Sequence, residues 1–72
     1  MTDDELAAAH ETGARGGSSR DAVDTVDSLR NIRGERPLMS DFGPILVAWM
    51  FGKQGKPCNT AAIMARVAKA GL

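Results

Sequence analysis

The sequence predicts an all-α chain of three to four short helices. Apolar residues recur at helical spacing in two segments, 19–33 and 60–70. Capping residues and glycines stand where those segments begin and end. The most apolar stretch, Ile45–Phe51, has no second strand to pair with, so as a strand its backbone would go unsatisfied.

The first helix covers about residues 3–12. Thr2-Asp3-Asp4-Glu5 has the form of a capping box, with acids in the first turn where the helix dipole favours them. Leu6 is its only large apolar residue, so the helix is marginal in water and expected to be ordered only when docked. "GARGGSS", 13–19, reads as a flexible Gly/Ser linker. Residues 1–18 thus form an acidic N-terminal arm and linker, and 19–72 a small helical domain.

The second helix, 19–33, is capped by Ser18 or Ser19. It places Ala22, Val26, Leu29 and Ile32 on one face and Asp24, Asp27, Ser28 and Asn31 on the other. Arg30, Arg33 and Arg36 cluster towards its C-terminal end, and Gly34 stops it. The third helix, 44–52, starts on Pro44, a residue suited to the first helical position. The fourth, 60–70, is capped by Asn59 or Thr60, carries Ile63, Met64, Val67 and Ala70 on one face, and ends at Gly71. With Leu72, these apolar side chains make up the candidate core.

Charge is balanced overall but unevenly spread. Residues 1–29 hold seven acids against two bases, and residues 30–72 hold seven bases against two acids. The two halves are expected to complement each other within one fold or between copies; a basic surface for nucleic acid or an acidic partner is the sharper reading. One cysteine, Cys58, cannot form an internal disulfide, which suits a reducing compartment. The acidic N-terminus is unlike a secretory signal, and seven apolar residues are too few to span a bilayer. The expected location is therefore cytoplasmic or within a virion. Arginine over lysine and many alanines suit a GC-rich bacterial or bacteriophage source.

Chemistry finds little footing. "GKQGKP" lacks the hydroxyl residue and spacing of a phosphate-binding loop. Asp41-Phe42-Gly43 is a kinase motif only inside a kinase. The lone His10 reads as a solvated residue, and no base lies near Cys58 in sequence. No enzyme, cofactor or metal site is expected.

A helix apolar on all sides must be covered on all sides, and the two strongly amphipathic helices can cover only part of 44–52. The expected function is thus a non-enzymatic interaction subunit: an accessory, assembly or inhibitor protein docking an apolar helix on a larger protein or on copies of itself. Trp49, Met50, Phe51, Phe42 and Leu46 are the expected apolar contacts, and Arg30, Arg33, Arg36, Lys53 and Lys56 the basic ones that steer encounter. The alternative is a small helix-turn-helix-like DNA-binding regulator using Asn59, Thr60, Arg66 and Lys69. A membrane partner is not expected.

Overall fold

A computed structural model describes residues 1–71; Leu72, counted above with the core, lies outside the described residues. Among the described residues four helices form, α1 (Asp3–Ala14), α2 (Ser19–Arg33), α3 (Phe42–Lys53) and α4 (Thr60–Ala70), with one 3₁₀ turn, Met39–Asp41, ahead of α3. No strand occurs among the described residues.

The predicted caps account for most boundaries. Thr2 Oγ1 accepts from the Glu5 amide, Ser18 and Asp21 form a reciprocal capping box, and Asn59 Oδ1 accepts from the Ala62 amide. Gly34 and Gly71 end α2 and α4 in the left-handed conformation, at φ 76° and 73°. Helix α3 departs from expectation by starting at Phe42. Pro44 therefore sits within the first turn, where its missing N–H costs no helical bond.

Helix α3 is the centre, touched by all three other helices and by the 3₁₀ turn. The Met1 ammonium lies 3.7 Å from Asp41 Oδ1 at one end, and Gly13 meets α3 beside Gly52 at the other. Helices α1 and α3 therefore run parallel. The C-terminal turn of α2 returns to that first end, bringing Arg30 to Glu5 and Asp41, so α2 runs antiparallel to both.

Helix α3 has more cover than the two amphipathic helices expected to supply it. Helix α1, poor in large apolar residues, makes the closest contact of all. Leu6, Ala9 and Gly13 face Ile45, Ala48 and Gly52, and all six are buried. Both helices present the same spacing: a large aliphatic, then alanine three residues on, then glycine four residues further. A Cβ on Gly13 would lie inside the contact radius of Trp49 O and 2.9 Å from Trp49 C. One on Gly52 would lie inside that of His10 O and 2.9 Å from the Ala14 nitrogen. Only hydrogen fits at either point, so the backbones touch directly, as at small-residue helix crossings generally. The dock on which α1 depends is thus α3 of the same chain.

The Gly-Ser stretch is a hydrogen-bonded turn. The Gly16 and Gly17 amides bond Gly13 O and Thr12 O, and the Trp49 indole N–H donates to Gly17 O at 2.8 Å. The loop between α3 and α4 runs back along α1. His10 Nε2–H donates to Lys56 O at 2.6 Å, and Thr60 Oγ1 donates to Asp3 Oδ1 at 3.2 Å. His10 is consequently half-buried and structural, where the sequence suggested a solvated side chain.

Two helix faces differ from expectation. On α2 the buried line is Ala22, Val26 and Arg30, while Ile32 lies about 120° round the helix from Val26 and faces solvent. On α4 only Ile63 and Val67 are buried; Met64 and Ala70 are exposed.

Candidate interaction surface

The basic residues expected to meet a partner divide into two groups. Arg30 is 2% exposed and Glu5 1%. Arg30 Nε donates to Glu5 Oε2 at 2.7 Å and Arg30 Nη2 to Asp41 Oδ2 at 2.6 Å; Arg33 Nη2 donates to Glu5 Oε1 at 2.6 Å. This network ties α1, α2 and the 3₁₀ turn together, so Arg30 is internal and Arg33 is committed to Glu5, contrary to expectation. The charge complementarity expected between the two halves of the chain is, at these residues, intramolecular. Arg36, Lys53 and Lys56 remain exposed.

Burial opposes ionisation of Glu5, but hydrogen bonds from Arg30, Thr2 and Arg33, with the Arg30 charge, outweigh it. The Glu5 carboxyl is held below the usual range. Burial likewise opposes the Arg30 charge and is outweighed by the hydrogen bond and charge of Glu5 and by Asp41, raising its pKa. Arg30 Nη1 and, one turn back, Asp27 Oδ1 are buried without a protein partner. Nothing in the sequence marks Glu5 as buried, because an acid in a first helical turn has an ordinary solvated role.

The expected apolar contacts divide as well. Trp49, Phe51 and Phe42 are half-buried against the core. The Trp49 ring is held by Gly17 and covered by Lys53, whose Nζ lies 4.9 Å from the ring centroid. Trp49 is therefore part of the fold's own packing. Leu46 and Met50 stay exposed; one turn apart on α3, they form an outward stripe that Lys53 continues.

The largest apolar exposure lies outside the expected contacts. Ile32 is 83% exposed, Leu38 59% and Met39 81%, in the last turn of α2 and the connector after it. Every residue from Asn31 to Ser40 is exposed, Arg36 among them. A sequence signal existed in Leu38-Met39, two large apolar residues placed straight after Pro37 and outside any helical stripe. Ile32 was hidden because its spacing also fits the α2 core line.

The residues of the DNA-binding alternative are split. Asn59 caps α4 through its side chain and Thr60 is bonded to Asp3. Arg66 and Lys69 are exposed. Cys58 is exposed in the loop; partial desolvation and the nearby Asp3 charge push its thiol pKa up, which disfavours the reactive thiolate. Among the described residues no group of three or more His, Cys, Asp or Glu side chains could hold a metal ion. Among the described residues no helix is long and apolar enough to cross a membrane. No protein-family model, curated protein or solved structure matches this chain.

Proposed function

We propose that this protein works without catalysis, as a small interaction subunit that docks exposed apolar surface on a larger protein partner or on copies of itself. The observation that carries the reading is the group Ile32, Leu38 and Met39, three large apolar side chains more than half exposed within eight positions. Scattered apolar exposure is ordinary, whereas three such side chains within eight positions, with the exposed Arg36 between them in sequence, have the composition of a docking site. The Leu46–Met50 stripe on α3 is a second apolar area of the same kind. Trp49 and Phe51, half-buried in the fold, pass the anchoring role to these residues.

The helix-turn-helix alternative has less support. The side chains at the start of α4 are engaged internally, and Asp3 brings a negative charge to the helix end expected at the groove.

The test compares the full chain with an Ile32→Glu/Met39→Glu variant, by sedimentation over micromolar to millimolar concentration and by quantitative capture from a cell extract. Both positions face water, so the variant folds. Self-association, or a specific captured protein, present with the natural chain and lost with the variant is the expected result. Identical behaviour of the two chains refutes a docking role for Ile32 and Met39.

A further inference from the structure

A cleft of about 60 Å³ opens between α3 and α4, lined by Val47, Met50, Phe51, Gln54, Lys56 and Arg66. Its floor is aliphatic and aromatic, and its polar rim carries two cations and no acid. Among the described residues no carboxylate pairs with Lys56 or Arg66. The Lys56 ammonium lies over the Phe51 ring, 5.2 Å from its centroid.

The wall is built rather than loose. Gly55 takes φ 72° as α3 ends, the Lys56 amide donates to Phe51 O at 2.8 Å, and the Lys56 carbonyl receives the His10 bond. Helices α3 and α1 thus both hold the Lys56 backbone before any ligand arrives, which lowers the ordering cost of binding there.

Size decides what fits. Small-molecule sites typically enclose about 300–1,000 Å³. This cleft is several-fold smaller and open, with room on the order of four water-sized positions. That is space for one aliphatic side chain, the way an anchor residue enters a pocket at a protein interface. The unpaired cations call for a negative charge next to that side chain.

We infer that this cleft is an anchor pocket, seating one leucine-like side chain of a protein partner while an adjacent carboxylate of that partner pairs with Arg66 and Lys56. The assignment rests on the interaction reading above and adds the chemistry of the partner segment: an aliphatic residue flanked by acids. It also gives Arg66 and Lys56 a role other than phosphate contact.

The experiment is an amide NMR titration of the full chain with the blocked peptide acetyl-Asp-Glu-Leu-Asp-amide. Saturable shifts at the amides of Val47, Phe51, Gln54 and Arg66 are expected, with Kd on the order of 1 mM. The peptide with Asn and Gln replacing its acids binds at least about threefold more weakly, and Lys56→Glu/Arg66→Glu weakens the acidic peptide about tenfold. Arg66→Gln, which introduces no repulsion, gives a smaller loss in an unchanged spectrum. Unsaturable shifts, shifts centred elsewhere, or equal binding of the neutral peptide overturn the inference. Free 3-methylbutanoate binding as tightly as the peptide overturns the protein assignment. A silent titration with capture still sensitive to Ile32→Glu/Met39→Glu removes the cleft alone. A seated peptide with insensitive capture removes the Ile32–Met39 surface alone.

Discussion

Alanine at Gly52 tests whether direct backbone contact between α1 and α3 holds this fold. Gly52 is inside a helix, where replacing glycine by alanine ordinarily stabilises by about 0.5–1 kcal/mol. Here the new methyl would meet backbone, with His10 C and Ala14 N both at 2.9 Å and His10 O closer still, against about 3.4 Å for ordinary contact. Backbone atoms cannot rotate away as a side chain could. The helices must therefore separate by about 1 Å, loosening Leu6, Ala9, Ile45 and Ala48, which are buried along the same seam. Overpacking of this kind costs about 1–3 kcal/mol and occasionally more. With no slack at this crossing the upper end applies, leaving a net loss of about 2 kcal/mol after the propensity gain. For a domain of this size that lowers Tm by roughly 8–16 °C.

Urea and thermal unfolding followed by circular dichroism read the change directly. Gly13→Ala should behave similarly, because its Cβ would enter Trp49 O and approach Trp49 C to 2.9 Å. The double variant should lose clearly less than the sum, since helices already parted by one methyl have room for the second. A Gly52→Ala chain as stable as the natural one, or more stable, would refute the close-contact argument.

Two further predictions concern the buried ionic network. Arg30→Ala leaves Glu5 and Asp41 without their shared partner and is expected to destabilise by about 3–5 kcal/mol, far more than Arg36→Ala at the exposed end of the same cluster; chemical denaturation compares them, and equal small losses would contradict the burial of Arg30. The second concerns pH. The Glu5 carboxyl is depressed in the folded state, so its contribution is fully present above the unfolded value of about 4.3 and is lost as pH falls through the folded one. Stability should fall with acidification below about pH 4, and Glu5→Gln should flatten that slope while leaving a lower plateau; an unchanged slope would mean Glu5 is not ionised in the fold.

Local signals made the helices legible. Thr2, Ser18 and Asn59 act on amides three residues away, and Gly34 and Gly71 supply a backbone conformation that other residues resist. Such effects need no knowledge of the rest of the chain, so second and fourth helices predicted over 19–33 and 60–70 are found at Ser19–Arg33 and Thr60–Ala70. The candidate site was less legible. Arg30, Arg33 and Arg36 look alike in sequence; what separates them is whether Glu5 of α1 and Asp41 of the 3₁₀ turn arrive at the same place. Ile32 and Leu29 both fit an α2 stripe, and the network at Arg30 turns the helix so that Ile32 faces water.

From its own residues this chain determined an all-helical fold, the boundaries of α2 and α4, and an apolar α3 in need of cover on every side. Tertiary structure alone decided what supplies that cover. A large-apolar stripe is the usual sign of a packing helix, and α1 lacks one. It packs through alanine and glycine, whose value comes from what they lack: without a side chain between them two backbones can touch, and that appears only when the facing helix is known. For the same reason Trp49, an expected anchor, is an internal strut, while Ile32, Leu38 and Met39 are left uncovered among the described residues.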